Sequence, residues 1–188
     1  MFNVSVHHPK APIIKEMIWS PPLHLWVKCN IDGASNGNPG NSACGRIFRD
    51  HEANFLNCFA ESLGHSTSYI AEISGAIRAI EIAYQKGWRN LWLETDSSLV
   101  VLAFQKDGNV AWFLRNRWKN MKVKLRQMSC VVTHVYREGN EVADALANHG
   151  LSLQSLTVWE DVPDFIRYFY VKNKKGLLQL ERKFKARK

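Results

Sequence analysis

No two of the four cysteines stand close together in this chain. Cys29, Cys44, Cys58 and Cys130 form no CxxC pair and have no histidines at ligand spacing, which argues against a zinc–thiolate site and a disulfide framework. Three of them sit among strand-like apolar residues, so buried, reduced thiols of an intracellular protein are expected. Long apolar runs are missing too: nothing approaches the ~20 consecutive residues of a membrane-spanning helix, and no membrane partner is expected. The opening MFNVSVHHPKAPIIKEM has no basic segment leading into an apolar run. No secretory signal is therefore expected, and the location expected is the nucleus or the cytoplasm. There is no internal repeat, and low-complexity sequence is confined to a basic end.

What is present is core material and unevenly placed charge. Of 188 residues 46% are hydrophobic, with seven Trp, nine Phe and five Tyr, enough for one globular domain of ordinary size plus a tail. The net charge of +8 is carried by two clusters. Residues 171–188 hold eight cations and one acid, and residues 115–126 hold six cations and no acid. Setting both aside leaves eleven basic against sixteen acidic residues, a slightly acidic globule with two basic patches. That pattern suits a polyanion, although a solvated tail and helix face would look the same.

Residues 1–22, punctuated by Pro9, Pro12, Pro21 and Pro22, read as a leader without a sustained period. From Leu23 the texture changes. LWVKCNIDGA alternates like a strand and runs into the turn-rich SNGNPGNS; CGRIFRD and NFLNCFAES follow around the turn DHEAN, predicting a three-strand antiparallel meander. Ile73, Ile77, Ile80 and Tyr84 recur at helical spacing up to Gly87. LWLETD is a short strand, SSLVVLAFQ a helix broken at Asp107-Gly108, and AWFLRNRWKNMKVKLRQM a basic amphipathic helix. In the last, Trp112, Leu114, Trp118, Met121 and Leu125 would pack on the sheet. CVVTHVY is a fifth strand, and Asn140 reads as the N-cap of EVADALANHG with Gly150 at its end. The predicted order β-β-β-α-β-α-α-β-α gives an α/β fold: a mixed five-stranded sheet, three antiparallel strands then parallel ones, with helices packed on it. The expected division is a leader (1–22), one domain (23–152), and an aromatic segment with a basic tail (153–188).

Four acids stand at the boundaries of these elements. Asp32 follows an apolar strand, Glu72 opens the first long helix, Asp96 ends LWLET, and Asp144 lies near the start of the final helix. Taken singly, each is an ordinary cap or turn former; Asp96 could cap the helix beginning SSL. Together they make an all-oxygen set, the preference of Mg²⁺ or Mn²⁺, and their mutual repulsion is relieved by cations. Two such ions ~4 Å apart clamp the attacking water and the leaving oxygen in phosphodiester hydrolysis.

DGASNGNPG, the Ala71-Glu72 pair, ETDS at 94–97 and REGNEVADALA at 137–147, in this order, resemble the signature of type 1 ribonucleases H. The likeness covers about residues 24–150 and is nearest to ribonuclease H-like domains of plant genomes and non-LTR retroelement reverse transcriptases. The resemblance implies a ribonuclease H-like fold and hydrolysis of the RNA strand of RNA–DNA hybrids with two Mg²⁺ ions, for which Mn²⁺ can substitute. Asp32, Glu72 and Asp96 would form the metal-binding core and Asp144 would complete the second site. Gly33, Ala34, Ser35, Asn36 and Asn38 would read the minor groove and its 2′-hydroxyls. Arg137 would meet a phosphate, and Arg115, Arg117 and Lys119 would correspond to the basic handle that grips the DNA strand. The chain departs from the family pattern at Ser68-Tyr69, at Ser98, and in a short loop that leaves His134 inside a strand.

A catalytically weak or inactive retroelement-derived nucleic-acid-binding module of the same fold is the alternative, and a junction-cutting nuclease a further one. The expected partners are an RNA–DNA hybrid and, through the basic tail, nucleic acid generally. A monomer is expected.

Overall fold

The computed structural model describes residues 19–106 and 110–185, with side chains as far as residue 176. Most of the leader, the Asp107-Gly108 break, the last three residues and the side chains of Arg182, Lys183 and Lys185 lie outside the described residues. Strand β1 (Val27–Gly37) is buried on both faces: Cys29 and Ile31 join the larger apolar core, while Lys28 and Asn30 are equally buried on the other side. Such a strand belongs in the middle of a sheet. β1 pairs antiparallel with β2 (Gly40–Arg49), which continues into β3 (Phe55–Ser66), and parallel with β4 (Asn90–Thr95), itself parallel to β5 (Ser129–His134).

A sixth strand, β6 (Thr157–Trp159), pairs antiparallel with β3 and completes the order β5-β4-β1-β2-β3-β6. The expected count of five is corrected here. Three residues are too few for alternation to show, and only the open edge of β3 makes them a strand.

Helix α1 (Ser68–Gln85) begins where the Thr67 hydroxyl accepts the Ile70 N–H at 3.2 Å. It lays Ile73, Ile77 and Ile80 on Ile31, Phe48, Phe59 and Leu93, and it ends before Gly87, which takes φ +77°. α2 (Ser98–Lys106) and α3 (Arg115–Leu125) lie in the same layer. α3 rests on α1 rather than on the sheet, burying Leu114, Trp118 and Met121, with Trp118 tilted against Phe104 of α2 at 4.8 Å. Trp112, expected in that stripe, is 79% exposed beside Phe113.

The opposite face is covered by α4 (Glu141–Gly150) and α5 (Asp164–Lys185). A Cβ on Gly45 would collide with the α4 backbone at Leu146 and Ala147, so helix and sheet touch there without a side chain between them. Gly150 is the last residue of α4 rather than a residue beyond it. Its value is contact: a Cβ would stand 2.9 Å from that of Ala43. Ile166 of α5 joins Ile47, Cys58, Val142 and Leu146 in a second core, and the Tyr170 hydroxyl donates to the Ala53 carbonyl at 2.9 Å. Within the stretch read as an aromatic segment and a basic tail, residues 157–159 thus supply a strand and residues 164–185 a helix packed through Ile166 and Tyr170. All four cysteines are free, and burial pushes Cys58 and Cys130 up to about 12. Among the described residues no helix is long and apolar enough to cross a membrane.

Candidate active site

Strand register brings the first two carboxylates together. Ile31 of β1 stands opposite Thr95 of β4, so Asp32 and Asp96 are the next residues on neighbouring parallel strands. This is the end of an α/β sheet at which crevices open. Glu72, the fifth residue of α1, reaches the same end because Gly33 lets the helix down onto β1. A Cβ on Gly33 would lie 2.6 Å from the Glu72 nitrogen and 2.8 Å from its Cγ. Asp144 is the fourth residue of α4.

The charges of the other three carboxylates are all felt at Asp32. Burial, then Asp96, raises the Asp32 carboxyl to about 8, with Asp144 and Glu72 adding to the rise and the Gly33 N–H at 2.8 Å opposing it. Burial raises Glu72 to about 7, helped by Asp96 and opposed by a hydrogen bond from Ser97. Both shifts have the sign of negative charges held close together in a site with little water. Asp96 Oδ1 is buried without a hydrogen-bond partner among the described residues. The Ser97 N–H donates to Thr95 Oγ1 at 3.1 Å, holding the bend between β4 and α2. Among the described residues no three such ligands are gathered closely enough to form a finished metal cage as they stand. The fit to a hard divalent cation therefore rests on the all-oxygen donor set, the orphaned oxygen of Asp96 and the repulsion that a cation would relieve.

Asn140 does more than its position at the start of α4 suggests. Its side chain makes no cap hydrogen bond to the helix. It donates instead to the Ile31 carbonyl at 2.9 Å and accepts from Asn30 Nδ2 at 3.3 Å. Asn30, Ser97 and this use of Asn140 are not evident from local sequence pattern. The available signal for Asn30 is a polar side chain inside an apolar strand; for the other two there is none.

The substrate-contact candidates divide. Gly33, Ala34, Ser35 and Asn36 are not loop residues: β1 runs through them to Gly37, becoming more exposed along the way, and Asn38-Pro39 alone make the turn into β2. Asn38 Oδ1 accepts the Ser68 N–H at 3.3 Å, holding the turn to the start of α1. Arg137 is exposed, with a guanidinium nitrogen 3.5 Å from Asp144. Arg115 and Lys119 are exposed on α3, whereas Arg117 makes a two-point contact with Glu81 of α1 at 3.1 and 2.7 Å. Arg117 thus ties two helices together. His134 places Nε2 3.0 Å from the Asp96 carbonyl oxygen.

The Reverse transcriptase-like family matches residues 30–150. An Arabidopsis thaliana protein carrying a provisional ribonuclease H name is 35% identical over 147 residues, which are 76% of this chain and 23% of that protein. Ribonuclease HI of Halobacterium salinarum is 33% identical over 131 residues, covering 66% of this chain and 64% of its own. The chain therefore spans under a quarter of the plant relative and somewhat less than two thirds of the archaeal one. The solved structure of LC11-RNase H1 in complex with RNA/DNA hybrid superposes with a TM-score of 0.59 at 26% identity, over 66% of this chain and 96% of that one.

Proposed function

Because the chain belongs to the Reverse transcriptase-like family and has the ribonuclease H fold, we propose that it is a metal-dependent endonuclease. Its substrate is the RNA strand of RNA–DNA hybrids, cut to 5′-phosphate and 3′-hydroxyl ends. The observation that carries this reading is the register that sets Asp32 beside Asp96 at the end of β4, with Glu72 seated against Gly33 and the charges of Asp96, Asp144 and Glu72 all felt at the buried Asp32 carboxyl. In it, Asp32, Glu72 and Asp96 hold one Mg²⁺ and Asp144 completes a second site, with Mn²⁺ able to substitute. Such a pair supplies a water activated for attack and a stabilised leaving oxygen.

The chain's own residues do the rest. The exposed half of β1, from Gly33 to Asn36, offers its backbone to the 2′-hydroxyls that distinguish RNA from DNA. Asn38 presses the turn against α1, fixing that backbone with respect to Glu72. Arg137 stands where it can exchange Asp144 for an incoming phosphate. Arg115 and Lys119 hold the DNA strand's phosphates, and the basic end of the chain adds affinity for any polyanion without choosing a register. On this reading the protein is a retroelement-derived monomer that works inside the cell, on nuclear or cytoplasmic hybrids.

The test is incubation with end-labelled RNA–DNA hybrid, duplex RNA and duplex DNA, with and without Mg²⁺. Only the RNA of the hybrid should be cut, and only with metal. Cleavage surviving excess chelator would overturn the metal-dependent mechanism, and tight hybrid binding without cleavage would favour the non-catalytic module. A second expectation separates the cations of α3. Arg115→Ser with Lys119→Ser should weaken hybrid binding and flatten the slope of log K against log salt by roughly one unit for each phosphate no longer neutralised. The cut positions should shift as well. Arg117→Ser should instead lower thermal stability by about 1 kcal/mol, through loss of its partly buried pairing with Glu81.

A further inference from the structure

The family match ends at residues 30 and 150, yet residues beyond those limits on both sides are built into the base of the site. Trp19 is 3% exposed, and its indole N–H donates to Asn30 Oδ1 at 2.9 Å. The Arg49 guanidinium lies over that indole, 3.6 Å from the ring centre. Arg49 donates one nitrogen to the same Asn30 Oδ1 at 2.7 Å and the other to Asn173 Oδ1 of α5 at 2.9 Å. Lys28 completes the enclosure. Its ammonium donates to the Ser20 carbonyl at 2.7 Å and pairs with Glu94 at 2.7 Å.

These contacts decide which way Asn30 points. With two donors on Oδ1, both lone pairs are used and the amide cannot flip without leaving two buried N–H groups unpaired. Its Nδ2 is therefore fixed toward Glu94 at 3.0 Å and Asn140 Oδ1 at 3.3 Å. Asn140 in turn donates to the Ile31 carbonyl, at the peptide that precedes Asp32. The Asn140 carbonyl accepts the N–H groups of Ala143 and Asp144 at 3.0 and 3.1 Å. One asparagine thus opens the helical turn that carries Asp144 and bonds the strand that carries Asp32.

We infer that Trp19 and Asn173 are positioning residues for the carboxylate pair Asp32 and Asp144, acting through Arg49, Asn30 and Asn140. The segments flanking the matched domain thereby set the spacing of its second cation site. The inference rests on the nuclease reading for its kinetic consequence and stands apart from it for its structural one.

Trp19→Phe keeps an aromatic ring under Arg49 and removes the indole N–H together with part of the bicyclic ring. Amide hydrogen exchange of the full chain, without metal or hybrid, should quicken about tenfold at residues 31–33 and 140–144, the equivalent of one lost hydrogen bond. The amides of α1 should be unchanged. Asn173→Ser, which loosens Arg49 from the other side, should give the same local pattern and serves if the first variant folds poorly. Turnover of hybrid at saturating Mg²⁺ should fall about tenfold with KM for the hybrid unchanged, as for displaced groups rather than weakened binding. Exchange unchanged at residues 140–144, or quickened equally throughout α1, overturns the inference. A wild-type chain that cuts no hybrid overturns the nuclease reading alone, and the exchange pattern still decides this one.

Discussion

Asp96→Asn is expected to lower turnover of RNA–DNA hybrid on the order of a thousandfold, the scale of removing one group that stabilises a transition state. The substitution preserves volume and replaces an acceptor with an N–H₂. Asp96 Oδ1 is the one carboxylate oxygen of the four that is fully buried without a hydrogen-bond partner among the described residues. An amide there presents either a donor or a neutral oxygen, and neither supports a cation as a carboxylate does. Hybrid affinity should hold or rise slightly, because a negative charge near the phosphates is gone. Single-turnover cleavage and a binding titration on one labelled hybrid separate the two effects. A near-wild-type rate in saturating Mg²⁺ would place the chemistry elsewhere.

The second large effect is on stability, and its sign follows from the same crowding. Asp32 is raised to about 8 and Glu72 to about 7, against ordinary values of about 3.9 and 4.3 in the unfolded chain. The folded protein therefore keeps protons that the unfolded chain has shed. Stability from these two groups is fully present below about pH 4 and is lost as pH rises through 7 and 8. In chelator, thermal unfolding should occur at lower temperature at pH 8 than at pH 5.5. Asp32→Asn should remove much of that slope and stabilise the chain at pH 8 on the order of 2 kcal/mol, or about 6 °C in Tm. Added Mg²⁺ should rescue the wild type and not the variant. The comparison is best kept at or below pH 8, because above it other buried groups titrate with opposing signs: Lys28, lowered by burial to about 8, adds stability as pH rises, whereas Cys58 and Cys130, raised by burial to about 12, subtract it. A Tm of the wild type that is flat from pH 5.5 to 8 would contradict the crowding.

The four carboxylates were legible because local pattern marks each position: Asp96 just past a strand end, Glu72 and Asp144 near helix starts, and Asp32 where an apolar run meets a glycine, although β1 continues past it to Gly37. The meander and α1 were legible for the same reason, alternation and an isoleucine stripe at helical spacing. Long-range partners were not. Arg115 and Arg117 are alike in sequence, and only Glu81, 36 residues away, takes one of them out of the basic face. Asn140 looks like a cap because caps are read locally, but the Ile31 carbonyl, 109 residues earlier, takes its side chain. Ile166, Phe169, Tyr170 and Asn173 do fall at helical spacing. A polar residue in that stripe and the surrounding cations hid a helix whose buried face includes an asparagine matched to a buried arginine.

The central place of β1 also orders events in time. Asp32 and Glu72 need only residues 27–85 to meet, through hairpins and one short connection, and contacts this local form early in folding. β4 brings Asp96 across a longer closure, and α4 brings Asp144 to a strand more than a hundred residues behind it. The full cost of four neighbouring negative charges therefore falls on the docking of α4, after most of the sheet exists. On the proposed function, a divalent cation held there would act on that late stage: it would slow the first loosening of the native chain more than it hastens the early collapse, so its contribution would be largely to kinetic persistence.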